Sequence, residues 1–598
     1  MRARAQSVMG RHALQKTLLV CILATVKALR APTPALRSTH GRRYAANVWD
    51  DLPEPCRQAL DARGLAAPLP VQTRSYAPVF EGLDAVVQSP TATGKTLAYV
   101  APLVARLASA ERPPRAGRGP AAPRVLVLAP SRELATQIGA EWASLCGPLA
   151  AAAPRVAVVV GGTPLERSVG ALRRGGGCDV VVGTAGRTAE LLRQGRTKKT
   201  ARSEVVLGLD AVETIVLDEA DQMLDEDDVP EVRRFMDAME RDYQLVLFSA
   251  TITDKVRKFA RGTMELEHGS ADVALDAAPR LDHASLACVR GEWHDVALEV
   301  LREGGDALSL VFVRTIADAT NLHDLLSRKL PRAVFDVLLL HGDMNPEFRK
   351  RVFRAARRGD DTGGRRAVLV ATDVAARGLD LPGVGLVVQL GAPRKAGKEG
   401  TLDGDLYAHR AGRGARDAAE TATSLLLFDP SAGERPLVNA LADDFPGLLP
   451  PRPPPRPAAV LENALGDALR ACAAAPATAT DAVAAAVDGL SDDERRDALA
   501  AALAILAGVD DRPPAPRSLL TCKPTDRTLR FESAAGGLDP KAVMAACKAL
   551  GSGKLGIVRV VDDGAAALVD VPAKKVAALV AAAESGLPDG WAMSLPES

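Results

Sequence analysis

Aromatic residues are scarce in this chain, at 3% of its 598 residues, although 47% of the residues are hydrophobic. Its cores must therefore be built mainly from Ala, Val and Leu.

The eight cysteines are scattered singly, without a CxxC pair or a Cys/His cluster. This spacing argues against a zinc module or a disulfide framework and favours a reducing compartment. The chain is too long for one domain, and ordinary domain sizes predict about three or four.

Acidic residues are absent from residues 1–49, which contain nine Lys or Arg. The overall net charge of +1 therefore hides an acidic body, with 66 basic against 74 acidic side chains in the remainder. Such a body does not attract nucleic acid through a global positive field. Any nucleic-acid binding must come from a local basic surface.

Long apolar runs are also lacking. The run at residues 18–26 is too short to span a bilayer as a stable helix, and no other segment is long and apolar enough. We predict that residues 1–44 form a removable targeting presequence, which leaves the mature protein without a membrane segment. A signal peptide joined to a transit peptide would direct the protein to the plastid stroma. A mitochondrial presequence, a nucleolar protein and an untargeted basic arm are the alternatives.

Short β-branched runs alternate with helical stretches over residues 45–270 and again over residues 285–440. This alternation predicts two tandem α/β domains, each with a parallel sheet covered by helices. Ligands in such sheets bind at the carboxyl ends of the strands. The predicted strands are 85–88, 125–128, 156–160, 180–182, 215–217, 245–248, 310–313, 337–340, 368–370, 386–388 and 425–428.

The C-terminal part divides further at two proline-rich stretches. Residues 441–458 contain the run at 450–457 and are predicted to be a stiff linker. Residues 459–511 are Ala-rich and have a helical composition. Residues 516–598 follow the order βαββαβ, which predicts a small RRM-like domain.

Two motifs follow strands in the first predicted domain. Asp218-Glu219-Ala220-Asp221 comes directly after a buried strand, where Asp218 could hold a hydrated Mg²⁺ and Glu219 could accept a proton from water. An acidic tetrapeptide alone is more often a solvated loop. Residues 89–96 end in Gly-Lys-Thr before a helix, which suits Lys95 to nucleotide phosphates and Thr96 to Mg²⁺. Together the two motifs predict nucleotide hydrolysis.

Further motifs follow along the chain, including Ser249-Ala-Thr251 in the first domain and His409-Arg-Ala-Gly-Arg413 in the second. With these motifs in this order, residues 45–430 resemble the DEAD-box ATP-dependent RNA helicases. The resemblance implies two RecA-like domains, ATP and Mg²⁺ as cofactors, and RNA-stimulated hydrolysis with local strand separation. It assigns nucleotide contacts to a set of residues in both domains: Trp49 and Gln72, then Thr91, Ala92, Thr93, Gly94, Lys95 and Thr96, and Asp380 on the ribose. Ala92 stands where the family has glycine, and its methyl would cost about 1 kcal/mol if the position needs positive φ.

The same resemblance implies RNA-backbone contacts, catalytic groups and coupling residues. The RNA contacts are Arg132, Gly162, Thr184 and Arg187 in the first domain and Arg314 and Thr372 in the second. The catalytic set is Glu219 and Lys95, with Arg413 and Arg416 as arginine fingers. The residues that link hydrolysis to strand separation are Asp221, Ser249, Thr251 and His409. Ala415 replaces the last glycine of the motif that contains Arg416.

The region from residue 500 onward resembles the Gu C-terminal (GUCT) domain of nucleolar RNA helicase II and its plant organelle relatives. Residues 441–598 contain 16 basic against 21 acidic side chains, and Phe531 is the one aromatic of the candidate central strands. RNA binding by base stacking and charge is therefore doubtful, and docking on a protein or on a structured RNA shape is an equal alternative. Protein partners would bind through residues 459–598. We expect Phe531 to belong to the core.

The leading hypothesis is an RNA helicase that acts on structured or double-stranded RNA, such as ribosomal or intron RNA, in organelle ribosome biogenesis or RNA processing. A nucleotide-gated RNA clamp that barely hydrolyses ATP is the first alternative. A DNA-directed helicase is the second.

Overall fold

The structure of the chain is a computed structural model. It describes residues 47–89, 93–110, 121–174, 177–193, 206–225, 229–239, 242–264, 281–357, 365–373, 381, 383–394, 401–414, 421–509, 513–553 and 555–596. The chain divides into two compact units at about residue 275. The predicted presequence, Thr91, Ala92, Asp380, Ala415 and Arg416 lie outside the described residues.

The first unit contains a six-stranded sheet with the order β1-β6-β5-β2-β4-β3, and every neighbouring pair is parallel. Its strands are β1 (Ala85–Gln88), β2 (Val125–Ala129), β3 (Val156–Val159), β4 (Val180–Thr184), β5 (Thr214–Asp218) and β6 (Gln244–Ser249). Its helices are α1 (Glu54–Ala62), α2 (Pro70–Glu81), α3 (Lys95–Ser109), α4 (Arg132–Cys146), α5 (Leu165–Arg173), α6 (Ala185–Arg193), α7 (Ala220–Asp225), α8 (Val229–Ala238) and α9 (Asp254–Thr263). Each predicted strand of this domain is confirmed.

The central strands of this sheet are buried along their whole length. Every residue of β2, β5 and β6 is buried. Continuous apolar runs are typical of parallel strands covered by helices on both faces. Polar side chains can reach solvent only where these strands end, so the ends of β1, β5 and β6 are the places for chemistry.

The second unit contains another six-stranded parallel sheet, with the order β7-β12-β11-β8-β10-β9. Its strands are β7 (Leu281–Ala287), β8 (Leu308–Val313), β9 (Phe335–Leu340), β10 (Arg366–Thr372), β11 (Val384–Leu390) and β12 (Ala422–Phe428). Its helices are α10 (Trp293–Glu303), α11 (Ile316–Lys329), α12 (Pro346–Arg357), α13 (Gly404–Ala411) and α14 (Arg435–Ala442). The edge strand β7 was not predicted, because only its last residues are buried and its start is polar.

Three helices and a second, smaller sheet complete this unit. The helices are α15 (Pro457–Ala473), α16 (Ala477–Asp488) and α17 (Asp492–Leu506). The small sheet consists of β13 (Asp526–Ser533), β14 (Val558–Val561), β15 (Ala566–Pro572) and β16 (Trp591–Ser594), with helices α18 (Pro540–Ala549) and α19 (Val576–Gly586). Its order β14-β15-β13-β16 is antiparallel throughout. The predicted βαββαβ unit is confirmed, and Phe531 lies in its core against Trp591.

The predicted linker at 441–458 is more closely packed than expected. Leu441 and Leu448 are buried in one cluster with Tyr407, and the Arg452 N–H donates to Ser285 O at 2.8 Å. Residues 451–456 adopt neither helix nor strand, as their prolines require. This stretch therefore lies along the second α/β domain. Among the described residues, no helix combines the length and apolar character needed to cross a membrane.

Candidate functional site

The loop between β1 and α3 is shaped by a glycine and a glutamine. Gly94 has φ +80°, and a Cβ at this position would collide with Gln72 Nε2. The Gln72 amide donates to Gly94 O at 3.1 Å and accepts from the Leu69 N–H at 2.7 Å. Lys95 Nζ donates to Ser89 O at 3.0 Å across the same loop. The loop thus brings a lysine next to the start of a helix, an arrangement of the kind that binds anions.

Asp218 lies at the carboxyl end of β5 and is 2% exposed. Its Oδ2 accepts from Tyr99 OH at 2.8 Å, and its Oδ1 accepts from the Glu219 N–H at 2.9 Å. Burial raises the pKa of Asp218 to about 6, while the positive charge of Lys95 opposes the rise. Tyr99 was not predicted, although it stands four residues after Lys95 and therefore on the same face of α3.

Glu219 occupies a strained position. Its φ is +52°, in the left-handed region, and its side chain is largely buried because only 8% of the residue is exposed. A side chain in this conformation costs about 1 to 2 kcal/mol, and such strain is often found at functional turns. The turn ends β5 and begins α7 at Ala220. It fixes two successive carboxylates, of Asp218 and Glu219, at the end of one buried strand.

Asp221 joins this tetrapeptide to the end of β6. Its Oδ2 accepts from the Thr251 N–H at 2.9 Å and from the Thr251 hydroxyl at 3.0 Å. Ser249 Oγ donates to Thr251 O at 2.7 Å and accepts from the Asp221 N–H at 3.2 Å. The structure therefore brings together three of the four predicted coupling residues. His409, the fourth, belongs to the second unit.

Trp49, which the resemblance assigns to the nucleotide, is buried in the first unit. Its residue is 3% exposed, and its indole N–H donates to Leu65 O at 3.1 Å. Asn47 Oδ1 accepts from the Trp49 N–H at 3.0 Å. In this structure the ring helps to hold the segment before α1, and little of it is accessible to a base.

The predicted RNA contacts of the first unit gather at the ends of β3 and β4. Gly162 has φ +73°, and a Cβ there would collide with Arg132 Nη1, so the guanidinium lies directly on this backbone. The Gly161 N–H donates to Thr184 Oγ1 at 3.4 Å. Arg187 is held within the protein, where it donates to Thr163 O at 2.9 Å and to Ser168 Oγ at 3.1 Å. Arg187 thus stabilises the loop after β3, whose Gly162 contacts Arg132.

The second unit places its predicted residues around the ends of β8 and β10. Thr372, the last residue of β10, is 6% exposed, while Arg314 follows β8 and is exposed. The next residue, Asp373, accepts a bidentate pair from Arg410, at 2.6 Å to Oδ1 and 2.8 Å to Oδ2. This pair was not predicted, although its members adjoin Thr372 and His409 in the sequence. Arg413, three residues after Arg410, is 4% exposed.

Within the described residues, no three His, Cys, Asp or Glu side chains converge to hold a metal ion. Mg²⁺ binds through one or two carboxylates together with phosphates and water, so it needs no such cluster. The Asp218 carboxylate and the Thr96 hydroxyl provide hard oxygen donors of the kind that Mg²⁺ prefers. The residues present therefore fit a magnesium–nucleotide complex.

Comparison with known families covers both sheets. Residues 69–259 match the family described as DEAD/DEAH box helicase, and residues 294–418 match the helicase conserved C-terminal domain. Together these matches span just over half of the chain.

Individual relatives and a solved structure agree with these matches. Nucleolar RNA helicase 2-B of Xenopus laevis is 34% identical over 62% of this chain and 43% of its own length. DEAD-box ATP-dependent RNA helicase 3A, chloroplastic, of Zea mays is 33% identical over 79% of this chain and 58% of its own length. Dbp5 of S. cerevisiae, solved bound to RNA and ADP BeF3, is 26% identical with a TM-score of 0.53, over 68% of this chain and 94% of that chain. The chain spans between 43% and 64% of the length of the first curated relatives it matches.

Proposed function

The chain belongs to the DEAD-box family of helicases, and on that premise we propose that it is an RNA-stimulated ATPase that separates RNA strands locally. The observation that carries the proposal is the network at the ends of β5 and β6. There a carboxylate pair, Asp218 and Glu219, is continuous with the Asp221–Thr251 contact. Through these contacts, a change in the bound nucleotide can alter the loop after β6, which contains Thr251.

In the proposed reaction, ATP phosphates bind at the loop before α3, with Lys95 beside the β- and γ-phosphates. Asp218 and Thr96 hold Mg²⁺, which neutralises charge on the phosphates when bound. Glu219 accepts a proton from the attacking water. Burial raises the pKa of Asp218 in the metal-free site, and a bound cation would favour its ionised form.

We propose that RNA controls this chemistry through the second unit. Arg413 and Arg416 would stabilise charge on the transferred phosphoryl group once ATP and RNA bring the two halves together. The Asp373–Arg410 pair supports this role of Arg413, because the buried Arg410 lies three residues before Arg413 and its bidentate contact fixes the turn after α13. RNA would bind along Arg132, Gly162 and Thr184 in one half and along Arg314 and Thr372 in the other.

The cellular role is also a proposal. The names of the maize and Xenopus relatives support an organelle or a nucleolar location, and the basic residues 1–44 favour a plastid. Ribosomal or intron RNA would be the substrate. The βαββαβ unit at 516–598 is proposed to be a GUCT domain that docks on protein or RNA.

The test is ATP turnover of residues 45–598 with and without RNA. We expect RNA-dependent turnover, and we expect Glu219→Gln to abolish it nearly completely while ATP binding survives. Glu213→Gln, directly before the same strand and paired with Arg124 at 2.8 Å, is the matched control and should keep turnover. Wild-type protein that binds RNA and ATP but hydrolyses no faster with RNA would favour the clamp hypothesis instead.

A further inference from the structure

Phe348 is an exposed aromatic side chain on a helix of the second unit. It is 50% exposed, and it is the only aromatic among the exposed residues that the structure describes. The other rings in the described ranges are buried or partly buried. Single exposed hydrophobic residues are common on protein surfaces, so the surroundings of Phe348 decide whether the ring has a role.

The helix that contains Phe348, α12, is strongly basic on its solvent side. Its 12 residues include five Lys or Arg and one acidic residue, Glu347. Three exposed cations lie on the same stripe of the helix as Phe348: Lys350, Arg351 and Arg354. The opposite side is apolar, since Val352 and Ala356 are buried in one cluster with Leu340. The body of the protein is acidic overall, so this stripe is a local basic surface of the kind that RNA binding requires.

Arg351 stacks on the Phe348 ring. Its guanidinium carbon lies over the ring at 5.1 Å from the centroid. Lys350 pairs with Glu347 at 3.3 Å, whereas Arg351 and Arg354 form no ion pair within the ranges that the structure describes. A guanidinium held on a ring is oriented at low entropic cost and keeps N–H donors for a phosphate. Half of Phe348 remains exposed beside it, so a second flat group can stack there.

The start of α12 lies at the sheet edge where the proposed RNA contacts of this unit are found. The edge strand β9 pairs with β10 up to Leu340 and Ala371, the residue before Thr372. The loop at residues 341–345 then leads directly into α12. Phe348, in the first turn of this helix, is therefore at the carboxyl edge of the sheet, beside the strand that ends in Thr372.

We propose that Phe348 and Arg351 form an RNA contact in which a base of a single strand stacks on the ring and an adjacent phosphate binds the guanidinium. The inference rests on the proposed function, since it extends the RNA surface of the second unit from Thr372 past β9. An aromatic ring accepts any base by stacking, and arginine binds phosphate oxygens through paired N–H donors.

The charge of the surface favours RNA over a protein as the occupant, because the phosphates of a single strand match the row of cations beside the ring. A single strand is favoured over a duplex, because bases inside a duplex are stacked on one another and present no face to the ring.

The test is the affinity of the full chain for a single-stranded RNA, measured by fluorescence anisotropy. Phe348→Leu keeps an apolar side chain but removes the ring, and it should weaken binding roughly tenfold because one stacked base is lost. Phe348→Trp should retain the affinity, and its added indole fluorescence should fall when RNA binds. Leu499→Ala, which shortens an exposed apolar residue on α17, is the matched control and should bind like the wild type.

Salt dependence and an abasic RNA separate the two halves of the contact. Arg351→Gln should make the slope of log affinity against log salt shallower by about 0.7, since one phosphate contact is lost. Arg496→Gln, which changes an exposed arginine on α17, should keep the wild-type slope. An abasic RNA of the same length should no longer distinguish Phe348→Leu from the wild type.

Equal RNA affinities of Phe348→Leu and the wild type would overturn the proposal. If Arg351→Gln also kept the wild-type salt slope, the stripe would belong to a protein partner and not to RNA. Thermal unfolding of these variants should match the wild type, because both side chains are exposed. Absence of any RNA binding by the wild type would instead reject the proposed function.

Discussion

Asp221 and Thr251 are joined by two hydrogen bonds that share one carboxylate oxygen, from the Thr251 N–H at 2.9 Å and from its hydroxyl at 3.0 Å. We predict that Thr251→Val, which removes only the hydroxyl, lowers the rate of RNA strand separation more than it lowers ATP turnover. The backbone hydrogen bond stays, so the phosphate site should remain intact. Both rates would be measured on the same duplex. Thr263→Val is the control, because that hydroxyl bonds only to Phe259 O within its own helix.

A proportional fall of both rates in Thr251→Val would contradict the coupling role, since it would show that the contact supports the chemistry itself. Loss of folding would appear as a lower melting temperature.

Asp218 should make the Mg²⁺-free protein less stable as pH rises. Its pKa in the folded protein is about 6, above the value near 3.9 of an unfolded chain, because burial opposes its charge. Between these two pH values the folded state keeps a proton that the unfolded state has lost, so stability decreases with rising pH. At pH 7 the cost approaches about 3 kcal/mol.

We therefore predict that Asp218→Asn raises the free energy of unfolding in EDTA at pH 7, by up to about 3 kcal/mol, and abolishes ATP turnover. The difference from wild type should shrink towards pH 4. Thermal unfolding of both proteins at several pH values measures this difference in stability. Asp61→Asn, on an exposed position of α1, should leave the pH profile unchanged. Equal stability of Asp218→Asn and wild type at pH 7 would reject the raised pKa.

Gly162 should be required for the position of Arg132. We predict that Gly162→Ala weakens RNA binding, because the methyl group displaces the guanidinium and is strained at φ +73°. The strain should also lower stability by about 1 kcal/mol. Gly170→Ala on α5 is the matched control, since nothing lies within 4 Å of its added carbon and helices favour alanine. RNA affinity and thermal unfolding should be measured for both variants. Equal RNA affinities of the Gly162→Ala and Gly170→Ala variants would contradict the prediction.

Arg517 should hold the C-terminal part to the second α/β domain. It is 7% exposed and donates to Glu299 at 2.8 Å, to Glu292 at 2.8 Å and to Cys522 O at 2.9 Å. We predict that Arg517→Met lowers the free energy of unfolding by about 3 to 5 kcal/mol, because Glu299 is left buried and unpaired. Chemical denaturation would measure this loss of stability, with Arg496→Met as the control.

The control should cost less than about 1 kcal/mol, since Arg496 pairs with Asp493 on an exposed surface. Adding Glu299→Gln to Arg517→Met should recover part of the loss. An unchanged loss in the double variant would show that the packing of Arg517, and not the buried charge, stabilises the junction.

Most of the fold could be predicted from local patterns, because buried parallel strands are continuous apolar runs. The edge strand β7 and the packing of residues 441–452 could not, since neither has a local apolar signature. Asp218, Glu219 and Lys95 could be predicted as a site because each follows a strand or begins a helix. Tyr99 was missed because a tyrosine inside an apolar helix usually signals core.

The sequence by itself determined the two parallel sheets, the small βαββαβ unit and the chemistry at the strand ends, because periodicity and motif spacing are local properties. Only the tertiary structure decided which side chains meet across long separations. Gln72 meets Gly94 over 22 residues, Arg410 meets Asp373 over 37, and Arg517 meets Glu299 over 218. Such contacts depend on how distant elements pack, and no local pattern encodes them. The Asp218-Glu219-Ala220-Asp221 motif could thus be recognised from sequence, whereas the contact of Asp221 with Thr251 required the fold.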